Sequence, residues 1–205
     1  MTGAVRGIGQ AIAVGLAKRG ARIVLGDLGD MSETSTLVAG TGQPALPVRL
    51  DVSDPASIEA ARNRVADELG RVDILVNNAG IFEAAAWDDL DFDLWNAVMA
   101  VDLSGPMLMC KAFLPLMRGR GWGRIVNLAS ATVAIASPVS IAYRTSKMGV
   151  TLRISFASRG FKIPSAPPSS LWWEPDRRPG IGAGFRPLAP SIPARRTIKD
   201  MLHNG

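Results

Sequence analysis

The sequence predicts an α/β fold with an open parallel sheet and helices on both faces. Three observations carry this. Short β-prone runs alternate with amphipathic stretches from residue 1 to about 152, each run ends in Gly or polar punctuation, and helix start and stop signals lie between them.

The elements follow in order. A glycine-rich turn, Thr2-Gly3-Ala4-Val5-Arg6-Gly7-Ile8-Gly9, opens a helical stretch over 7–19 with Ile8, Ile12 and Leu16 at helical spacing, and Gly20 stops it. Residues 22–26, 45–50, 72–76 and 124–128 are the compact strand runs. Asp54-Pro55 reads as an N-cap followed by proline at the first helical position. Ile58, Val65 and Leu69 then mark a buried stripe that ends at Gly70. Cys110 and Met107, Met109 and Met117 fall on a helix, where packing in a core or between subunits explains them better than reactivity.

Beyond Leu152 the pattern stops. Eight of the 14 prolines lie in the last 42 residues, mixed with Arg, Ser, Gly and Trp172-Trp173, and prolines every few residues forbid both ladder types. The chain therefore divides into a folded part, 1–152, and an irregular Pro/Arg-rich tail, 153–205, in which His203 reads as a solvated side chain. The net charge of +5 belongs to that tail: residues 153–205 carry nine Lys/Arg against three acidic residues, and residues 1–152 a net −1. A basic nucleic-acid surface on the folded part is therefore not expected, and the sparse charge of the tail argues for no nucleic-acid partner. Ser and Pro break the apolar stretch over 131–142, and no apolar run is read as long enough to cross a bilayer, so no membrane partner is expected. A single cysteine excludes an internal disulfide and a multi-cysteine zinc site; no metal site is read. With no secretory leader visible, the expected compartment is cytoplasmic.

The glycine turn carries chemistry. Gly3, Gly7 and Gly9 have separate tasks: a tight turn, close approach of backbone N–H groups to a pyrophosphate, and close packing of helix on sheet. Arg6 and Ile8 lie within it. Asp27 ends the next strand, 18 residues after Gly9, where a carboxylate accepts hydrogen bonds from adenosine ribose hydroxyls and repels a 2′-phosphate. Arg6 pulls toward a 2′-phosphate. The reading prefers NAD(H) and leaves NADP(H) open.

The residues then fall into a longer order: Thr2–Gly9, Asp27, Asp51-Val52, Asn77-Asn78-Ala79-Gly80, Val101-Asp102-Leu103-Ser104-Gly105, Ser130, and Tyr143-Arg144-Thr145-Ser146-Lys147. This order resembles the short-chain dehydrogenase/reductase family across about residues 1–152, most closely its 3-oxoacyl-carrier-protein reductases and secondary-alcohol dehydrogenases. The resemblance implies a Rossmann-like doubly wound sheet and an NAD(P)-dependent oxidoreductase interconverting a secondary alcohol and a ketone. In it Tyr143 is the acid/base and Ser130 orients the substrate oxygen. Lys147, four residues from Tyr143, stabilises the phenolate and holds the nicotinamide ribose. It further implies that Asp51 and Val52 line the adenine, that Asn78, Ala79 and Gly80 lie along the cofactor, and that the chain forms a homo-oligomer, dimer or tetramer, through helices near 103–118 and 142–156. The partner is then a small alcohol or ketone.

Three departures from the family are visible. Asp102 stands where the family's fourth catalytic residue is Asn; it either serves the same relay or adds a negative charge beside Lys147 that slows the chemistry. The family begins with a strand before the glycine turn, whereas Met1 stands where that strand ends, which reads as a displaced start. The family's last strands and substrate loop are not visible after Lys147, which reads as a change of frame. The sheet is thus expected to be incomplete, and the second reading is an inactive remnant that at most binds a dinucleotide or pairs with a homologue.

Overall fold

The computed structural model describes residues 1–134 and 138–151. The reading of 153–205 as an irregular tail lies outside the described residues.

The described residues form four strands and six α-helices, in the order α1 (Gly7–Ala17), β1 (Ile23–Asp27), α2 (Ser32–Ala39), β2 (Ala45–Arg49), α3 (Pro55–Leu69), β3 (Ile74–Asn77), α4 (Phe92–Met99), α5 (Gly105–Met117), β4 (Arg124–Asn127) and α6 (Ile141–Thr151). A π-helical turn, Ala100–Ser104, joins α4 to α5, and single 3₁₀ turns occupy Trp87–Asp89 and Ala131–Ala134. β1 pairs in parallel with β2, Ile23 opposite Ala45, and β3 in parallel with β4, Ile74 opposite Arg124.

The pleat sorts side chains to two cores. Ile23 and Leu25 pack with Ala4, Ala13, Ala17 and Val38 of the α1–α2 layer. Leu46 and Val48 of β2, with Val24 of β1, pack with Ile58, Val65, Met109 and Phe113 of the α3–α5 layer. Successive residues of β1 thus face opposite layers, as the two-residue period requires. The doubly wound arrangement is the one expected.

Local signals account for α3. Asp54 accepts a hydrogen bond from the Ala56 N–H at 2.9 Å, Pro55 opens the helix, and Gly70 closes it at φ 66°. In α1 the expected apolar stripe is corrected. Gly9, Ala13 and Ala17 form the buried face, and Ile8 is 66% exposed. The helix lies so close to the preceding turn that a Cβ on Gly9 would overlap the Gly3 carbonyl oxygen, so only small residues fit.

Among the described residues, one helix, Phe92–Met117, is long and apolar enough to cross a membrane, 26 residues with a mean hydropathy of 1.4. The π turn joins α4 to α5, and Pro106 sits at the start of α5, where its missing N–H is tolerated. Its α5 half is built into the core through Met109, Cys110, Phe113 and Met117. Cys110 is fully buried there, and burial pushes its thiol pKa up, against a weak hydrogen bond from Asn77, in keeping with packing rather than reactivity.

Among the described residues, Met1 and Thr2 lie between β1 and β3, and Thr2 bridges Gly26 in parallel. The Met1 amine donates to the Val24 carbonyl at 2.8 Å, Gly26 N–H donates to the Met1 carbonyl at 2.9 Å, and Thr2 N–H donates to the Val76 carbonyl at 3.0 Å. Two residues therefore hold the two half-sheets side by side.

Candidate active site

The glycine turn is built by contacts the sequence only hinted at. Thr2 is buried, and its hydroxyl oxygen accepts from the N–H groups of Asn78 and Ala79, both at 3.0 Å. The Asn78 amide returns the contact, donating to the carbonyls of Thr2 at 3.0 Å and Gly3 at 2.8 Å. Gly3, at φ 68°, lies so close to this loop that a Cβ would come within 2.9 Å of the Ala79 backbone. Asn78 thus spends its side chain on joining the loops after the first residues and after β3.

The end of β1 is tied to the same turn. The Asp27 carboxylate accepts from Val5 N–H at 3.0 Å through Oδ2 and from Gly29 N–H at 3.1 Å through Oδ1. The acid is held in place, with lone pairs left over. Arg6, Gly7 and Ile8 are exposed, the Arg6 side chain makes no cap bond to α1, and a Cβ on Gly7 would meet nothing within 4 Å. The first N–H groups of an 11-residue helix therefore face open space beside an anchored carboxylate.

Asp51 folds back on itself. Its Oδ1 accepts from the Ser53 hydroxyl at 2.6 Å and Ser53 N–H at 2.8 Å, and the hydroxyl bond, then the backbone one, holds its carboxyl below the usual carboxylate range. Val52 is buried, packing against Gly105 at the start of α5.

The second half of the site lies on α6. Tyr143 and Lys147 share one face, the Lys147 Nζ lying 5.5 Å from the Tyr143 ring centroid. Phe82 meets the same ring edge-on, centroids 5.1 Å apart. Lys147 is buried and pairs with Asp102 of the π turn, Nζ to Oδ2 at 3.2 Å. The other Asp102 oxygen accepts from Ile81 N–H at 2.7 Å. Burial raises the Asp102 pKa, and the Ile81 bond and the Lys147 charge oppose that rise without cancelling it. Gly80 covers the pair: a Cβ there would stand 3.0 Å from Asp102 Oδ2 and 3.4 Å from Lys147 Nζ.

Ser130 follows β4. Its hydroxyl oxygen accepts from the Thr132 hydroxyl at 2.8 Å, and Arg144 of α6 donates to the Thr132 carbonyl at 3.2 Å, which ties the Ser130 turn to the tyrosine helix. Ser140 precedes α6 at φ 57°, its hydroxyl donating to the Glu83 carbonyl at 2.6 Å. Asp102, Gly80, Tyr143 and Lys147 are thus brought together, and Gly3, Gly9, Asp27, Asn78 and Ala79 meet around the first turn. The sequence reading missed Phe82, Thr132 and Ser140. Only Ser140 left a local signal, a serine at a helix start.

The chain matches the short chain dehydrogenase family over residues 1–158. It belongs to that family. Short-chain dehydrogenases are oxidoreductases that act on CH–OH groups and use NAD(P) in general, and this chain is one of them by descent. It is 37% identical over 204 residues to a D-threitol dehydrogenase of Mycolicibacterium smegmatis, covering 96% of this chain and 78% of that one. It is 38% identical over 177 residues to a D-beta-hydroxybutyrate dehydrogenase of Rhizobium meliloti, covering 82% and 69%. A crystal structure from Sinorhizobium meliloti, of a protein described as a short-chain alcohol dehydrogenase, superimposes with a TM-score of 0.69 at 36% identity. That match covers 73% of this short-chain dehydrogenase and 60% of the solved chain. The first of these similarities reaches beyond the boundary expected near residue 152 and into the Pro/Arg-rich segment.

Proposed function

We propose that this short-chain dehydrogenase interconverts a secondary alcohol and a ketone with NAD(H), using Tyr143, Lys147 and Ser130. The observation that carries the reading is the placing of Lys147 beneath the Tyr143 ring on one face of α6, beside the π turn.

The residues fit a dinucleotide. The open Gly7 backbone at the α1 N-terminus suits a pyrophosphate, and the anchored Asp27 suits ribose hydroxyls and disfavours a 2′-phosphate. Arg6, exposed beside the turn, is the group through which NADP(H) would be accommodated. When bound, the nicotinamide supplies or accepts the hydride. Tyr143 moves the proton on or off the substrate oxygen through its hydroxyl. Lys147 keeps positive charge under the ring and favours the phenolate, and Ser130 donates a hydrogen bond to the same substrate oxygen. Asn78 acts at one remove, by fixing the loop on which Ala79 and Gly80 lie.

The relatives named for D-threitol and D-beta-hydroxybutyrate support a small hydroxylated substrate. The expected test is NADH oxidation with a panel of small ketones. Tyr143→Phe should abolish turnover while leaving NADH binding within about twofold, and equal turnover by that variant would sink the reading. A second reading, a chain that binds the dinucleotide but turns over slowly, is favoured by the Asp102 carboxylate that engages Lys147. Stoichiometric NADH binding with no turnover in wild type and restored turnover in Asp102→Asn would select it.

A further inference from the structure

Arg49, the last residue of β2, lies directly opposite Asp27 in the β1–β2 ladder. Register partners in a parallel pair project from the same face of the sheet. Both side chains therefore rise at the C-terminal edge, where open α/β sheets bind their ligands. Arg49 is exposed, and its Nη1 donates to the Leu28 carbonyl at 2.9 Å. That bond pins the guanidinium beside the turn that follows Asp27.

The arginine stands near two carboxylates and pairs with neither. Asp27 is its ladder partner, and the Asp51 carboxyl is held low first by the Ser53 hydroxyl and N–H and then by the Arg49 charge. The ion pairs among the described residues nevertheless lie elsewhere. Both carboxylates are already engaged, Asp27 by the N–H groups of Val5 and Gly29 and Asp51 by Ser53. The Leu28 carbonyl takes one guanidinium N–H, and the rest of the fork stays open to solvent. The glycine turn continues from Thr2, which bridges β1 on the edge away from β2, and there Val5 holds Asp27 while the next residue, Arg6, is exposed. Asp27 thus has an arginine-bearing element on either side.

We infer, on the dinucleotide reading proposed above, that Arg49 is a further selectivity residue of the cofactor site: its guanidinium binds a phosphate on the adenosine 2′-oxygen, so that the site takes NADP(H) as well as NAD(H). An open guanidinium fork matches a phosphate through paired charge-assisted hydrogen bonds, whereas an uncharged hydroxyl draws little from it. The pyrophosphate is provided for at the α1 N-terminus, so the 2′-phosphate is the anionic group that reaches the Asp27 end. Arg49 and Arg6 together offset the repulsion from Asp27, which alone would exclude that phosphate.

The test is calorimetry on the full chain with NADH and NADPH. Adenosine 2′,5′-bisphosphate and adenosine 3′,5′-bisphosphate are the fragments that occupy the adenosine end alone and need no turnover. Arg49→Gln should weaken NADPH and the 2′,5′-bisphosphate by about tenfold or more, and NADH by no more than about threefold. Arg49→Lys should keep part of the NADPH affinity, because the charge survives without the fork. Both variants should keep the parent's urea midpoint, since the side chain is exposed. Equal weakening of NADH and NADPH would make Arg49 a brace for the Leu28 turn and overturn the proposal. So would equal binding of the two bisphosphates, which describes a general anion contact, and so would a parent chain that binds NADH and not NADPH. Selective loss of NADPH in a chain that turns over no ketone would leave the Arg49 assignment standing and remove the proposed catalysis. Binding of neither dinucleotide would overturn both.

Discussion

Lys147 Nζ stands 3.2 Å from Asp102 Oδ2, a buried ion pair bridging two elements 45 residues apart in sequence. Tyr143 lies on the other side of the same ammonium. In the proposed reaction one cation would thus serve two anionic claims, the carboxylate throughout and the phenolate while the proton moves. At close range in a partly dehydrated site, the carboxylate offsets the field that the ammonium exerts on the phenolic oxygen.

Asp102→Asn should therefore raise alcohol oxidation at pH 7 by about tenfold and move the rising limb of the rate profile, where the base loses its proton, to lower pH. The amide keeps an acceptor for Ile81 N–H. The pH profile of kcat/KM for both chains is the check, and an unshifted limb would assign Asp102 a purely structural part. Stability carries a second sign. Because burial raises the Asp102 pKa, the folded state binds more protons than the unfolded one just above the ordinary carboxylate value, and stability falls as pH rises through that window. The Asn variant should lack this slope in urea denaturation.

The Met1 amine is buried, and burial lowers its pKa from 8.0 to about 6. Between those values the unfolded chain binds more protons, so stability should rise from pH 6 to pH 8 by about 3 kcal/mol at most. Acetylating the amine removes the ionisable group and should flatten this part of the curve. Chemical denaturation at pH 6, 7 and 8 for both forms gives the comparison.

Asp27→Ala removes the acceptor of Val5 and Gly29 N–H and the charge proposed to meet the ribose hydroxyls. NADH binding should weaken about tenfold, and NADPH binding should change less, which narrows or reverses the preference. Calorimetry with both dinucleotides measures it. Parallel weakening of the two would mean that Asp27 only braces the turn.

Thr2→Val keeps the side-chain volume and removes the acceptor of two N–H groups, on Asn78 and Ala79. The expected loss is about 2 kcal/mol, read as a lower urea midpoint at unchanged slope.

Helix α3 was fully legible in the sequence because its signals are local: Asp54, Pro55 and Gly70 act within a few residues of themselves. The parallel sheet was legible because strand runs are short and apolar. Helix α2 was not, since it buries only Thr34 and Val38 within its own span and shows no apolar stripe. Ile8 misled because a glycine–alanine face packs closer than a large side chain allows. The resemblance already set the Asp102 charge beside Lys147. The Asn78 clamp and the Thr132–Arg144 tie depend on chain paths that bring distant residues together, and no local pattern encodes them.

The alternation along β1 and β3 also predicts two clocks in one strand. Leu25 and Leu75 belong to the outer ladders with β2 and β4, so their amide protons should be lost to deuterium only when a half-sheet opens. The Val24 and Val76 amides turn to the opposite edge of their strands, away from β2 and β4, and should exchange far sooner, although each is one peptide unit away. Exchange rates should therefore change abruptly with residue parity, a signature that fraying from a strand end, graded along its length, does not produce.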